Sequence, residues 1–138
     1  MILLDTNVIS EALRKAPDAR VIAWLTENDA ELGLPTVVLA EIVFGIRKIS
    51  PDQRALRLEQ GLASWRRRFA DRIYGFSEAA TLAYGDIMAD AVKLGRPMTV
   101  QDGMIAATAR VNSGRLATRN VTDVATAGLE RICPWSAK

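Results

Sequence analysis

The stretch MILLDTNVIS, residues 1–10, decides the fold class, because it runs from a buried strand straight into a helix. Its four opening residues are apolar, which is typical of a short strand that is covered on both faces. Asp5 and the polar residues behind it offer side-chain oxygens of the kind that cap helix N-termini. The stretch therefore predicts a β-strand followed at once by an α-helix.

The same elements recur along the chain. Further strands are predicted at ELGL (31–34), DRIYGF (71–76), RLAT (115–118) and LERIC (129–133), and helical patterns separate most of them. Strands separated by helices imply a parallel sheet with helices on both faces. We therefore predict a three-layer α/β/α domain with a short, mostly parallel central sheet flanked by helices.

Local signals place the starts of four helices. Thr36 is predicted to cap a helix that runs to about residue 48, and SPDQ (50–53) has the pattern of a capping box for the next. Ser77 and Thr99 are predicted to cap two more. Apolar stripes at helical spacing follow in the second and third of these helices: Ala55, Leu58, Leu62, Trp65 and Phe69, then Ala80, Ala83, Tyr84, Ile87, Ala91 and Leu94. The first stripe is predicted to be core or dimer interface.

Length and composition are those of one globular domain. The chain has 138 residues, 49% hydrophobic and 25% charged, so we expect a single domain over residues 1–138. Charged residues interrupt the apolar runs well before the roughly 20 residues of a membrane span, so we expect a cytoplasmic protein with no membrane contact. The single cysteine, Cys133, excludes an internal disulfide and a multi-cysteine zinc site.

The absence of histidine restricts the chemistry most. It excludes Ser-His-Asp and Cys-His catalysis and the zinc or iron sites that are built on histidine. An enzyme of this composition must work with carboxylates, hydroxyls and amines. The net charge of +2 argues against a wholly basic nucleic-acid binder, but setting four acids aside in one site would leave 18 basic side chains against 12 acidic ones. A basic surface around an acidic centre is compatible with these numbers.

One carboxylate, Glu41, stands in the apolar run LPTVVLAEIVFGI, residues 34–46. Buried carboxylates are rare without a partner, so a position on a solvated strip of the helix is one interpretation. The other is that Glu41 faces inward to meet a cation. Gly45 favours the second, because a glycine inside a helix costs roughly 1 kcal/mol relative to alanine and suggests a close approach. Both interpretations remain open on this segment alone.

Three further acids have ordinary explanations when each is considered alone. Asp5 can be a turn or cap residue after a strand, and Asp123 a loop residue. Asp102 lies in the first turn of its helix, where an acid favours the helix dipole, but it also shares the apolar face of that helix. Asp102 is therefore open to both a structural and a functional interpretation.

Together the four acids indicate a metal site. The carboxyl ends of parallel strands meet at one edge of a sheet, where open α/β folds bind ligands, and three of the acids follow strands or begin helices there. Two unit charges about 4 Å apart repel by roughly 4 kcal/mol at an effective dielectric constant of about 20, so such a cluster needs a cation. Because the ligands are all oxygen, Mg²⁺ or Mn²⁺ is the expected ion.

The order of the motifs resembles the PIN-domain ribonucleases, and within them the VapC-type, FitB-like toxins of toxin–antitoxin pairs. The matching segments are MILLDTNVIS (1–10), AEIVFG (40–45), QDGMIAATA (101–109), ATRNVTD (117–123) and the closing PW (134–135). They span nearly the whole chain in the family's order. The resemblance implies a PIN-like domain with the activity of a metal-dependent endoribonuclease, inhibited by a cognate antitoxin, which hydrolyses RNA in line to leave 5′-phosphate and 3′-hydroxyl ends.

The resemblance also implies roles for individual residues. Asp5 and Asp102 look like direct ligands of Mg²⁺ or Mn²⁺, and Glu41 like a ligand or a water-mediated neighbour. Asp123 looks like the fourth catalytic acid, which would assist a second ion or the water. The side chains that look like supporting hydrogen-bond partners are Thr6, Asn7, Thr118 and Asn120.

The sequence gives less information about binding partners. The resemblance favours a homodimer or a larger assembly, an antitoxin whose extended segment crosses the cleft, and contact with DNA only through that antitoxin. A competing hypothesis is a regulatory partner of a DNA-binding antitoxin, in which the acids only dock a basic segment. Four arginines could follow an RNA backbone, although a charge run at a helix end is usually solvated: Arg66, Arg67, Arg68 and Arg72.

Overall fold

The structure is a computed structural model that describes residues 1–136, so the last two residues of the expected 1–138 domain lie outside the described part. Its strands form one sheet: β1 (Ile2–Leu4), β2 (Leu32–Pro35), β3 (Ile73–Tyr74), β4 (Arg115–Ala117) and β5 (Arg131–Ile132). The order across the sheet is β3-β2-β1-β4-β5. All four strand pairings are parallel, so the sheet is parallel throughout rather than mostly parallel.

The helices of residues 1–136 form two groups. The α-helices are α1 (Thr6–Ala12), α2 (Ala19–Glu27), α3 (Thr36–Lys48), α4 (Gln53–Arg68), α5 (Glu78–Lys93) and α6 (Val100–Val111), with short 3₁₀ segments at Asp29–Glu31 and Val121–Ala127. Helix α1 packs against α2 and α3, and α3 against α4, whereas α5 packs against α6 and the second 3₁₀ segment. The strands β2 and β3 are added on one side of β1, and β4 and β5 on the other side. Because crossovers between parallel strands are right-handed, the helices before and after β3 therefore cover opposite faces of the sheet. This confirms the three-layer α/β/α architecture.

Strand β1 is the central strand of the sheet and forms the middle of the core. Ile2, Leu3 and Leu4 are at most 1% exposed, because strands flank them on both sides and helices cover both faces. The N–H of Asp5 continues the pairing with β4 by donating to the carbonyl of Ala117 at 2.9 Å. The chain leaves β1 toward β2 on one side, whereas β4, on the other side, leads away to β5. The strand order therefore reverses between β1 and β4, and the carboxyl ends of these two strands are the position where open α/β sheets bind ligands.

Two of the four predicted helix caps are confirmed. Ser77 and Thr99 each accept, on the hydroxyl, the N–H three residues further on, both at 3.1 Å. The cap predicted at Thr36 is wrong, since Thr36 is already the first helical residue and Pro35 precedes it as the N-cap. The side chain of proline has no hydrogen-bond acceptor, so the helix starts without a side-chain cap.

The capping box predicted around Ser50 is also wrong. Helix α4 begins at Gln53, and the carboxylate of Asp52 accepts the N–H of Arg54 at 2.8 Å. The Ser50 hydroxyl instead donates to the carbonyl of Ile46 at the end of α3, at 3.2 Å. A carboxylate accepts a stronger hydrogen bond than a hydroxyl does, which favours capping by the aspartate.

The predicted apolar stripes belong to the core, with one exception. In α4, Ala55, Leu62 and Phe69 are at most 6% exposed. The α5 stripe was predicted to include Leu94, but Leu94 is 65% exposed because it lies just beyond Lys93, the last helical residue. No helix within residues 1–136 combines the length and the apolarity that crossing a membrane requires.

Candidate active site

Asp5 lies at the carboxyl end of β1 and is 8% exposed. Its carboxylate accepts the backbone N–H of Thr6 and the hydroxyl of Thr118, each at 2.7 Å. Burial raises the pKa of Asp5, the hydrogen bonds from Thr118 and Thr6 oppose that rise, and the negative charge of Asp123 adds to it. The side chain is thus fixed in place, but its ionised form is disfavoured there.

Asp102 occupies the first turn of α6 and is half-buried. Burial raises its pKa, followed by the charge of Asp5, and then by the charges of Asp123 and Glu41, while a hydrogen bond from Thr99 opposes the rise. Like charges raise the pKa of a carboxyl only when they are close. Asp102 is therefore the residue whose pKa is raised by the charges of all three other acids.

The glycine after Asp102, Gly103, lies at a close contact between α6 and α5. A Cβ built on Gly103 would lie 2.5 Å from Sδ of Met88 and 3.0 Å from Cε1 of Tyr84, both on α5. Real Cβ atoms are not found that close, so a larger residue here would require the flexible Met88 side chain and the Tyr84 ring to shift. The segment QDGMIAATA contains this signal, but the sequence alone did not show which helix Gly103 would face.

Glu41 lies on α3 and faces the turn between β1 and α1. The hydroxyl of Thr6 donates to Oε1 of Glu41 at 2.8 Å, and the side chain is half-buried. This hydrogen bond places the carboxylate on the side of the other acids rather than on a fully solvated strip. The close approach predicted at Gly45 is wrong, since a Cβ there would have no neighbour within 4 Å and would adjoin open space.

Asp123 is exposed and lies in the 3₁₀ segment that follows β4. Its own N–H donates to the carbonyl of Asn120 at 3.0 Å. Two arginines that the sequence analysis did not consider hold this segment by its carbonyls. Arg131 of β5 donates to the carbonyl of Val121 at 2.7 Å, and Arg96 donates to the carbonyl of residue 122 at 3.4 Å. No local sequence signal identifies such contacts, because their donors come from other elements.

The four predicted supporting residues differ in what they contact. Thr6 donates to Glu41, and Thr118 donates to Asp5, so each threonine orients one carboxylate. Asn7 and Asn120 are exposed, and within residues 1–136 neither side chain donates to any of the four acids. The acids are therefore oriented by hydroxyl groups and by one backbone N–H.

The arrangement fits a hydrated divalent ion better than a closed cage of protein ligands. Within the described chain, no three acidic or cysteine side chains are placed to hold one ion among them. Mg²⁺ usually takes one or two protein carboxylates and completes its octahedron with water and phosphate oxygens. Asp5 and Asp102, the two acids with raised pKa values, are suited to be those ligands, with Glu41 and Asp123 close enough to add negative charge.

A cleft of about 580 Å³ opens beside Thr6 and Glu41, between α1, α3 and α4. Five basic side chains line it: Arg14, Lys15, Lys48, Arg54 and Arg57. The arginines predicted from the sequence to follow RNA lie elsewhere, at the end of α4 and just after it. Of those, Arg68 pairs with Asp29, and Arg72 donates to the carbonyl of Leu32 at 3.2 Å and lies 4.4 Å over the ring of Phe69. Arg68 and Arg72 therefore hold the fold together.

Comparisons with known proteins agree with this geometry. The profile of the PIN domain matches residues 2–122. The chain is 37% identical to the VapC ribonuclease Y4jK of Sinorhizobium fredii, with 98% of each chain covered, and 37% identical to Toxin FitB of Neisseria gonorrhoeae, with 98% of this chain and 99% of the relative covered. The solved structure of FitAB bound to an IR36 DNA fragment superposes with a TM-score of 0.90 at 35% identity, covering 100% of this chain and 98% of that one.

Proposed function

Because the chain belongs to the PIN-domain family, we propose that it is a divalent-metal-dependent endoribonuclease, the toxin of a toxin–antitoxin pair. The observation that carries the proposal is the position of Asp102, whose pKa is raised first by burial and then by the charges of Asp5, Asp123 and Glu41. Hydrogen bonds from Thr118 to Asp5 and from Thr6 to Glu41 hold two of these acids in place. Two relatives that align over nearly the whole chain support the proposal, since one is named a VapC ribonuclease and the other Toxin FitB.

The acids have different proposed roles in metal binding. Asp5 and Asp102 are the proposed direct ligands of Mg²⁺ or Mn²⁺, and Glu41 is a direct or water-mediated ligand. Because the ionised forms of Asp5 and Asp102 are disfavoured by burial, a nearby cation stabilises them strongly. When bound, the ion lowers the pKa of water and neutralises charge that develops on the phosphate oxygens.

The proposed reaction is the in-line hydrolysis of an RNA phosphodiester. The oxygen of water bonds to phosphorus, the bond from phosphorus to O3′ breaks, and a proton passes to O3′, which leaves 5′-phosphate and 3′-hydroxyl ends. The chain contains no histidine, and carboxylates are among the remaining side chains that can accept a proton from water, so we assign the orienting role to a carboxylate. Glu41, which Thr6 holds in place, and the exposed Asp123 are the proposed orienting groups.

The direct test is cleavage of a mixed-sequence RNA by the purified protein, with and without Mg²⁺, followed by sequencing of the fragment ends. We expect 5′-phosphate and 3′-hydroxyl ends to appear with the wild-type protein in Mg²⁺ and to be missing in EDTA. Cleavage by Asp5→Asn at the wild-type rate would show that the assigned site is wrong.

The partners belong to the same proposal. We place the protein in the cytoplasm, as a homodimer or larger assembly, where a cognate antitoxin inhibits it and provides its only contact with DNA. Size-exclusion chromatography with light scattering tests the assembly. Co-expression with the protein encoded by the adjacent gene tests the antitoxin, since an antitoxin should co-purify with the toxin and stop RNA cleavage.

A second candidate function is that of a regulator which acts on DNA through its antitoxin without catalysis. The similarity to FitAB, whose solved structure contains DNA, favours it. The two functions differ in one result. A regulator would leave RNA intact at every metal concentration, and its Asp5→Asn variant would repress an operator as well as the wild type does.

A further inference from the structure

The cleft beside Glu41 contains charges that the proposed metal site does not use. Glu41 is the one acid in its lining, against five basic side chains. Two of the five are held within the chain. Arg14 pairs with Glu11 at 3.0 Å, and Arg57 donates to the carbonyl of Leu13 at 3.0 Å.

The other three basic side chains are available to a ligand. Lys15, Lys48 and Arg54 are exposed and have no carboxylate within ion-pair distance in residues 1–136. The ammonium nitrogen of Lys48 lies 5.0 Å from the centre of the Phe44 ring, and the residue as a whole is exposed to solvent. Three such cations around one cleft create a positive potential that attracts a polyanion.

The floor of the cleft is apolar. It is formed by five aliphatic side chains: Leu13, Ile42, Ile46, Ile49 and Leu58. The volume of about 580 Å³ falls within the range of roughly 300–1,000 Å³ that is usual for pockets that bind small molecules. An apolar floor with a cationic rim matches the two parts of a nucleotide, a flat base and a charged phosphate.

We propose that this cleft binds one unpaired nucleotide next to the scissile phosphate, with its base on the apolar floor and the adjoining phosphates on Lys15, Lys48 and Arg54. The inference rests on the proposed function, because the cleft begins at Thr6 and Glu41, beside the acids assigned to catalysis. A base that is paired in a duplex cannot enter such a cleft, so the substrate is single-stranded RNA or a loop.

The test measures binding separately from cleavage. A fluorescein-labelled single-stranded RNA of mixed sequence, alone or annealed to its complement, is titrated with Asp5→Asn protein at several salt concentrations and followed by anisotropy. The test protein also carries Lys15→Gln, Lys48→Gln and Arg54→Gln. The matched control instead carries Arg20→Gln, Lys93→Gln and Arg110→Gln, which remove three exposed cations outside the cleft.

The affinity for single-stranded RNA falls as salt rises, and each phosphate contact contributes about −0.7 to the slope of log affinity against log salt. Loss of three contacts in the cleft variant should therefore make this slope less negative by about 2. The control should keep the slope, and duplex RNA should bind weakly to all the proteins. Equal slopes for the cleft variant and its parent, or a loss confined to the control, would overturn the inference.

The outcomes separate this inference from the proposed function. If wild-type protein cleaves RNA but the cleft variant binds as its parent does, the inference about the cleft fails alone. If wild-type protein cleaves no RNA but the slopes change as expected, the proposed catalysis fails and the nucleotide-binding cleft stands. Preference for duplex RNA would overturn the cleft inference whatever the result for cleavage.

Discussion

The hydroxyl of Thr118 donates a 2.7 Å hydrogen bond to Oδ2 of Asp5, and this bond joins the carboxyl ends of β4 and β1. Burial favours the protonated form of Asp5, whereas this bond favours the ionised form. A metal ligand must be ionised to bind. In the proposed metal site, Thr118 would therefore control how readily Asp5 accepts a cation.

Thr118→Val should weaken the affinity for Mg²⁺ by about 10- to 100-fold, the usual effect of removing a group that orients a metal ligand. Because the lost bond favoured ionised Asp5, the acid limb of the pH–rate profile should move to higher pH. Cleavage rates measured across Mg²⁺ concentration and pH test both effects, and saturating Mg²⁺ should restore most of the rate.

Thr108→Val is the matched control for that variant. Thr108 is also fully buried, but it donates to Met104 of its own helix, at 2.8 Å. It should destabilise the fold modestly and leave the Mg²⁺ dependence unchanged. If Thr118→Val and Thr108→Val showed the same Mg²⁺ dependence, Thr118 would have no role beyond packing.

Asp5→Asn should lower the rate of RNA cleavage by about 100-fold or more, since losing a direct ligand exceeds the loss of a group behind it. Single-turnover cleavage in Mg²⁺ provides the measurement. Asp71→Asn is the control, because Asp71 precedes β3 and so lies at the opposite, amino-terminal edge of the sheet. A comparable loss of activity in both variants would point to a general effect of charge.

The same Asp5→Asn variant should be more stable than the wild type in EDTA at neutral pH. The pKa of Asp5 is raised above its ordinary value of 3.8, so folding is opposed by the ionised carboxylate, and asparagine caps a helix as well as aspartate does. Wild-type stability should fall as the pH rises from 3.8 through the raised pKa, and the variant should lack that part of the fall. Thermal unfolding at several pH values tests this, and a lower Tm for the variant at neutral pH would contradict it.

Glu11→Gln should destabilise the protein by about 1–3 kcal/mol at neutral pH without changing its metal dependence. Glu11 is 5% exposed and accepts the N–H of Asp18 at 2.9 Å and the guanidinium of Arg14. The N–H of Asp18, more than Arg14, lowers the pKa of Glu11 below its ordinary value of 4.5. This contribution is complete above pH 4.5 and is lost as the pH falls through the lowered pKa. Urea unfolding should therefore show a gap between variant and wild type that narrows in acid, and a constant gap would refute the assignment.

The sequence predicted the elements well because their signals are local. The strand before Asp5, the caps at Ser77 and Thr99, and the helical phase of Asp102 each depend on a few neighbouring residues. One wrong prediction concerns a position where two side chains can accept the same backbone N–H groups, because a sequence pattern does not show which of them does so. At the start of α4 two acceptors were available, and the carboxylate of Asp52 displaced the expected Ser50.

The candidate site could be predicted from the sequence only in part. The positions of the four acids followed from their motifs, but the partners of their carboxylates did not. Thr118 lies 113 residues from Asp5, and Thr6 lies 35 residues from Glu41. The basic cleft was missed for the same reason, since Lys15, Lys48 and Arg54 meet only when α1, α3 and α4 pack together.

The central position of β1 has a consequence for biosynthesis. Translation makes Asp5 and β1 long before β4, which pairs with β1 and brings Thr118, 113 residues further along the chain, to Asp5. Asp102 and Asp123 also emerge late. A nascent chain that has not reached residue 123 therefore lacks the complete set of four acids, so the proposed nuclease activity cannot arise before that point of translation.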